Sequence, residues 1–397
     1  MKINQQYIKN TNMKQLYQLL KENDGASRAF LAKKTGLSKT TVSSLVDELI
    51  QRDFAADNGA VSGTMVGRKP NHLSLTGEKH CTAAIYWEAG KMTGALVCLD
   101  GTVLNKQTLP ISSTSQYSKF LRRLFQTLFK SSGPACEVIG LCIILPAMID
   151  KKNRRILSTI LSLENEPFFI ENIQNEFKEL PVAFFNDTAC MAYAEKPPTK
   201  QEGNTFTYVN LDQGIGAALF VDGKILGGAS GTKTQFGHYS VDSNGIPCSC
   251  GNRGCLEVTI GERALDRLAR EGGSTALKAK SPLCYLDIGK AAGDKDPAAE
   301  QIIRYIADNL AVGLSNLISL FRPAKIILGG SGKNLGTQFI EELTRTIKSH
   351  GFQKMVEEVQ ISYSVLGDDA CFIGAMEYYF DNCFRFTEDR EEQIFLG

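Results

Sequence analysis

No apolar run in this 397-residue chain approaches the length that spans a bilayer, so a membrane anchor is not expected. The opening stretch, Met1 to Asn12, is too polar for a secretory leader, and a cytoplasmic protein is the natural expectation. Charge of one sign is missing as well. The formal net charge is +1, and nothing in the whole-chain balance announces nucleic acid. Histidine is scarce, with four residues, and Trp87 is the single tryptophan. Cysteine is not scarce. Eleven of them without an export signal imply a reducing compartment, where thiols stay free or bind metal.

The neutral average conceals a split. Residues 1–75 carry eleven Lys and Arg against six acids, a net +5, which leaves −4 for the remainder. A basic head on a mildly acidic body is the asymmetry of a nucleic-acid-binding module joined to a partner domain. Within the head, Met13, Leu16, Tyr17, Leu19 and Leu20 mark a first helix that ends near Asp24-Gly25. Ser27 is placed to cap a second helix and Ser38 a third. In the third, Val42, Leu45, Val46, Leu49 and Ile50 recur at helical spacing and form one buried face. Lys39, Thr40, Ser43 and Ser44 then lie outside, near the N-terminal end that a recognition helix offers to DNA. Between Phe54 and Leu75 a short Gly-rich wing carries Gly67-Arg68-Lys69-Pro70, adjacent cations on a tight turn that suit phosphate contact. Any short three-helix bundle shares the periodicity, but not the wing and the charge split.

From about residue 80 the pattern is strand, hairpin, strand, then helix, strand, helix. Asp100-Gly101 is a hairpin signal, and the strand Val182 to Phe185 runs into Asn186-Asp187 and a helix. After Lys196-Pro197-Pro198 the pattern restarts, with Asp222-Gly223 as the matching turn. A strand from Lys325 enters Gly329-Gly330, and a closing helix is expected from Phe372. A duplicated α/β lobe is implied. The expected boundaries are 1–76 for the DNA-binding head and 80–195 for one lobe, joined by a C-terminal helix at about 378–397. The second lobe is expected at 196–377.

One stretch stands out, Gly237 to Glu257, with His238, Cys248, Cys250 and Cys255 in a H-x9-C-x-C-x4-C pattern. Zinc takes four such donors in a tetrahedron, and closed four-ligand sites are structural. Free thiols, or a disulfide between two of the three, are the alternatives. The clustering and the available histidine point to zinc.

These residues together resemble the ROK family, which groups sugar-responsive transcriptional repressors with bacterial sugar kinases. The resemblance is to its repressor branch, typified by xylose-operon and N-acetylglucosamine repressors, and it covers nearly the whole chain. Ser27-Arg28 with Thr35-Gly36-Leu37-Ser38-Lys39-Thr40-Thr41-Val42-Ser43 is similar to its winged helix-turn-helix, and Gly67 to Pro70 to its wing. Asn186-Asp187 resembles the sugar motif, and Gly237-His238 with Cys248, Cys250, Cys255 and Glu257 the zinc and sugar signature.

The resemblance implies a winged helix-turn-helix followed by a two-lobed actin-like (ribonuclease-H-type) α/β domain with sugar in the interlobe cleft. It implies DNA contacts from Arg28, Ser38, Lys39, Thr40, Thr41, Ser43, Ser44, Arg68 and Lys69. It implies sugar contacts from Asn186, Asp187, Gln235, His238 and Glu257, with structural zinc on His238, Cys248, Cys250 and Cys255. Operator DNA, a sugar or sugar-phosphate effector and a dimer or tetramer are the implied partners.

The chain departs from the kinase pattern. Where the kinases have Asp-x-Gly-Gly-Thr-Lys, it has Tyr86-Trp87-Glu88-Ala89-Gly90-Lys91, and the second phosphate turn is Gln213-Gly214 instead of Thr-Gly. A carboxylate at Glu88 repels triphosphate, so no kinase activity is expected. Gln235 replaces the usual Glu of a Glu-x-Gly-His motif, and Pro146-Ala147 replaces Pro-Gly, which bears on the identity of the sugar. The leading expectation is a sugar-released repressor; the rivals are a retained sugar kinase and a regulator that answers to a protein partner.

Overall fold

The computed structural model describes residues 5–60, 71–111, 116–131, 136–159, 161–197, 205–227, 234–386 and 394–396. By its contacts the chain divides into two units, Met1–Ala194 with Asp368–Gly397, and Glu195–Gly367. The return to the first unit therefore starts earlier than the boundary expected near 378. Its helix is Ala370–Asn382 and not 378–397, and Ile394–Leu396 is a strand. The earlier start follows from Ala370 to Phe380 being apolar on nearly every side, as a helix buried between layers must be.

The first unit opens with helices Gln5–Glu22, Arg28–Thr35 and Lys39–Gln51, followed by the paired strands Ala55–Ala60 and Asn71–Leu75. Both expected caps form. The Ser27 hydroxyl accepts from the Phe30 N–H at 3.2 Å, and that of Ser38 from the Thr41 N–H at 3.1 Å. Gly36 sits at φ +73°, the left-handed conformation that ends the second helix at no steric cost. Val42, Leu45, Val46 and Leu49 are buried, as their spacing requires.

The same unit holds a six-stranded sheet in the order Ile394–Leu396, Val182–Asn186, Glu137–Leu145, His80–Glu88, Lys91–Cys98, Val103–Pro110. The first three pairings are parallel and the last two antiparallel. The central strands are apolar on both faces, as strands covered by helices on either side must be. A small hairpin, Ala147–Asp150 with Arg155–Thr159, follows the buried strand and was not legible in the sequence.

The second unit repeats the plan. Its sheet runs Lys224–Ile225, Ile215–Val221, Phe206–Leu211, Lys325–Gly329, Gln360–Tyr363, with two antiparallel pairings and then two parallel ones. Between strand and strand the chain forms helices Glu262–Glu271, Thr275–Lys278, Tyr285–Gly293 and Pro297–Phe321. The last is capped by Asp296, whose carboxylate accepts from the N–H groups of Ala298 and Ala299. Among the described residues no helix is long and apolar enough to cross a membrane.

Candidate functional site

Four sets of residues carry chemistry. The metal candidate lies in a loop folded back on itself twice, with short bridges joining Ser240 to Cys255 and Pro247 to Arg253. Gly254, at φ +61°, lies against Asp242, where a Cβ would overlap the carbonyl oxygen. No other residue fits there. This folding brings one donor atom each from His238, Cys248, Cys250 and Cys255 within 4.8 Å of one another.

Tetrahedral zinc, with bonds of about 2.3 Å to sulfur and about 2.0 Å to nitrogen, spaces its donors roughly 3.5–3.8 Å apart. Here Cys248 Sγ is 3.5 Å from His238 Nδ1, and Cys250 Sγ is 3.6 Å from Cys255 Sγ. The donor set and its spacing fit a metal ion. Burial pushes the Cys255 thiol up to about 12, so its proton must be displaced when an ion binds. Hydrogen bonding from the Asn252 backbone draws the exposed Cys250 thiol down.

The metal loop leads directly into the helix Leu256–Ile260, whose second residue is Glu257. Its Oε2 accepts from the Ile215 N–H at 3.2 Å. Glycines line this nook. A Cβ at Gly214 would stand 3.0 Å from Glu257 Oε2, and one at Gly237 would overlap the Ile215 carbonyl oxygen. His238 Nδ1 faces Cys248, so metal ligation at Nδ1 leaves Nε2 as the nitrogen that carries a proton. Gln235, the residue in place of the expected Glu, is exposed.

In the first unit Asn186 ends its strand and Asp187 begins the helix Asp187–Ala194. Asn186 Oδ1 accepts from the Ala189 N–H at 3.0 Å, and its Nδ2 donates to the Ala147 carbonyl at 3.2 Å. Asp187 is buried; Oδ1 accepts from the Thr188 N–H at 2.7 Å, and Oδ2 from the Tyr86 hydroxyl at 3.2 Å. Tyr86, where an acid was expected, is thus bound to the acid of the separate Asn186-Asp187 pair. Glu88 pairs with Lys91 at 3.2 Å across the Ala89-Gly90 turn. Trp87 is fully buried in the apolar core of this unit, packed near Tyr117 and Phe169.

Three residues beside the Gln213-Gly214 turn escaped sequence reasoning. The Ser331 hydroxyl bridges Asp212 Oδ1 at 3.1 Å and Glu262 Oε1 at 2.9 Å. Burial, with the Asp212 charge adding, raises the Glu262 carboxyl above its usual range. Asp212, next to Gln213, was the readable signal.

The helix Lys39–Gln51 presents Ser38, Lys39, Thr40, Thr41 and Ser44 to solvent, with Ser43 half-buried. Arg28 is differently employed. Its guanidinium donates to Asp47 Oδ1 at 2.7 Å and to the Ser43 carbonyl at 3.2 Å, and Asp57 lies 3.6 Å away. It ties three elements of the head together. Arg68 and Lys69 lie outside the described residues.

A ROK family model matches residues 83–381, and a winged helix-turn-helix DNA-binding model matches residues 9–54. The xylose repressor of Bacillus spizizenii is 29% identical over 95% of this chain and 98% of its own length. The DNA-binding transcriptional dual regulator NagC of Escherichia coli is 26% identical over 81% of each chain. Among solved structures, a ROK family transcriptional regulator described as a homolog of E. coli MLC protein has the same fold. It superposes with a TM-score of 0.79 at 23% identity, over 94% of this chain and 96% of the other.

Proposed function

The chain belongs to the ROK family, and from that premise we propose that it is a sugar-responsive, DNA-binding transcriptional regulator. In this reading it represses carbohydrate-utilisation genes and leaves operator DNA when a sugar or sugar phosphate binds. One observation carries it: a capped recognition helix with Lys39, Thr40, Thr41 and Ser44 exposed stands on the same chain as a ROK domain. Ser38 orders that helix start, Ser43 flanks it, and Arg28 holds it in place. Arg68 and Lys69 supply phosphate contacts from the wing. Such modules read two half-sites, so a dimer or tetramer is the working form.

The residues proposed to contact sugar are Asn186, Asp187, Gln235, His238 and Glu257. Carboxylates accept from neighbouring hydroxyls in pairs, and amides donate to them. Zinc on His238, Cys248, Cys250 and Cys255 fixes the loop and the ring orientation of His238. Release follows from differential affinity: sugar prefers one arrangement of the chain, and DNA the other.

Kinase chemistry has little support from these residues. Asp187 is engaged by Tyr86, and the second phosphate turn is flanked by Asp212 and Glu262. Like charge there opposes a triphosphate.

The test is a mobility shift of promoter DNA with the purified protein, alone and with a panel of sugars and sugar phosphates, xylose first. Release by one of them is expected. ATP-dependent phosphorylation of any sugar in a coupled assay would overturn the reading. The DNA half fails if Arg68→Ala with Lys69→Ala leaves promoter affinity and its salt dependence unchanged.

A further inference from the structure

Eleven cysteines are more than a four-ligand metal site uses, and two of the others meet at one point of the first unit. Cys81 Sγ lies 2.7 Å from Cys136 Sγ, and both thiols are free. Cys81 is fully buried on the central strand His80–Glu88, whereas Cys136 is partly exposed just ahead of the strand Glu137–Leu145. A disulfide needs sulfurs at about 2.05 Å, so bond formation asks for a shift of about 0.7 Å.

Their neighbours give the pair a context. His80, next to Cys81, stacks on Phe54 of the DNA-binding head, with ring centroids 3.7 Å apart and planes 5° from parallel. Glu137, next to Cys136, has its carboxylate 3.5 Å from His80 Nε2. The two thiols therefore join the same two strand ends that hold the head's contact residue.

We propose that Cys81 and Cys136 form an oxidisable thiol pair, a disulfide-forming modification site that takes a hydroperoxide as oxidant and acts on the seat of the DNA-binding head.

Exposure sets the order of events. The Cys136 thiolate, its proton released to water, attacks the peroxide. An S–O bond forms as the O–O bond breaks, giving a sulfenic acid and, after protonation, water. The Cys81 sulfur then attacks the Cys136 sulfur. The S–S bond forms as the S–O bond breaks, and the Cys81 proton leaves with hydroxide as a second water. Two thiols are oxidised by two electrons and one peroxide is reduced. Burial raises the Cys81 thiol well above its ordinary range, so it does not make the first attack, and its 2.7 Å approach to Cys136 Sγ gives it the second. Cys98, the cross-strand partner of Cys81, donates toward the Glu78 carbonyl at 3.7 Å.

The experiment treats the full-length protein with graded hydrogen peroxide, blocks remaining thiols by alkylation, and maps non-reduced peptides by mass spectrometry. A Cys81–Cys136 crosslinked peptide, two hydrogens lighter and reversed by a dithiol, is the expected product. Cys136→Ser should lack it, and Cys81→Ala should lack it while leaving Cys136 as a trapped sulfenic acid. Recovery of both residues as free thiols after a dose that oxidises the exposed Cys250 overturns the proposal, as does a Cys81–Cys98 bridge instead. The functional half rests on the DNA-binding reading. Crosslinking should change promoter affinity at least threefold in the wild type and not in Cys136→Ser. Unchanged affinity in a fully crosslinked protein that still binds promoter DNA overturns that half. Failure of the reduced protein to bind would instead fault the functional reading itself.

Discussion

Lys14 Nζ donates to the carbonyl oxygen of Asp381 at 2.7 Å, and to that of Phe380, so the first helix of the head closes the end of the helix Ala370–Asn382. Carbonyls in the last turn of a helix lie beyond the reach of its own N–H groups, and a cation at a helix C-terminus also meets the negative end of its dipole. Lys21 adds an ion pair to Glu377 at 2.8 Å along the same contact. Around it Tyr17, Phe54, Phe380, Phe384 and Phe386 pack as a set of tilted and edge-on rings. Burial, with Arg385 adding, draws the Lys14 ammonium down to about 8.

Lys14→Met keeps the apolar stem and removes the donor to two helix-end carbonyls. A loss of about 1–3 kcal/mol in stability is expected, read by denaturant unfolding. Limited proteolysis should also release the head more readily. Equal stability and equal protease resistance would show that the cap contributes nothing.

The same helix leads back to the proposed sugar contacts. It packs on the helix Asp187–Ala194 so closely that a Cβ at Gly374 would overlap the carbonyl oxygen of Cys190. Phe185 and Tyr193 stack on Tyr378 at 4.7 and 4.6 Å, and the Tyr193 hydroxyl donates to Asp381 Oδ2 at 2.7 Å. Packed side chains therefore connect the strand and helix on either side of Asp187 to the helix end that Lys14 holds. Gly374→Ala should force the two helices apart and cost about 1–3 kcal/mol. Sugar-induced release of DNA should weaken more than sugar binding does. Wild-type release by the variant, measured in the mobility-shift titration, would sink the proposed route.

His80 makes this joint sensitive to acid. It is 3% exposed, and burial holds its imidazole below the ordinary value of 6.5. Glu137, Asp53 and Glu78 oppose that shift, and Arg52 adds to it. Above pH 6.5 the ring is neutral in folded and unfolded chains alike, and its contribution is fully present. As pH falls below 6.5, the unfolded chain takes up the proton first, so stability is lost until the folded ring also protonates. His80→Phe retains a ring against Phe54 without a titrating group and should flatten unfolding curves recorded between pH 7.5 and 5.5, relative to wild type. An unchanged slope would assign the acid sensitivity to other groups.

Local periodicity and turn chemistry were legible; distant pairings were not. Val42 to Leu49 gave the recognition helix because a 3.6-residue period needs no tertiary information, and Asp100-Gly101 and Asp222-Gly223 placed the two hairpins. The four metal donors were readable because three of them fall within eight residues. Lys14 and Asp381 are separated by 367 positions, and no spacing rule reaches that far. Arg28 read as a DNA contact since sequence shows its charge but not the Asp47 and Asp57 carboxylates folded against it. The Tyr86 to Asp187 bond was hidden for the same reason, although each residue was singled out on its own.

The metal centre has a direct assay. Protein purified without chelator is expected to hold one zinc per chain, and Cys255→Ser to lose it, since Cys255 is the most buried thiol of the four donors. Removal of the ion should lower the melting temperature, because binding free energy adds to folding free energy. Protein without stoichiometric metal, or a melting temperature indifferent to chelation, would leave the cluster as free thiols.

Glu257 separates the metal's role from the ligand's. It follows Cys255 by two residues, so an ion bound to the loop would fix where its carboxylate points, yet it is not itself a donor. Its Oε2 holds the Ile215 N–H, and Oε1 is proposed to accept from a sugar hydroxyl. Glu257→Gln preserves length, and with the amide oxygen toward Ile215 it turns an NH2 group toward the ligand. Metal content and melting temperature should then match wild type, while promoter DNA is no longer released by the sugar that works on wild type. A loss of affinity of about 10–150-fold is expected, equivalent to about 1.5–3 kcal/mol for a hydrogen bond to a charged group. Gln235→Glu adds a carboxylate where the family usually has one and should move affinity the other way. If Glu257→Gln instead lost zinc, the carboxylate would belong to the metal loop's architecture and not to ligand recognition. Unchanged release in both variants would place the sugar elsewhere on the chain.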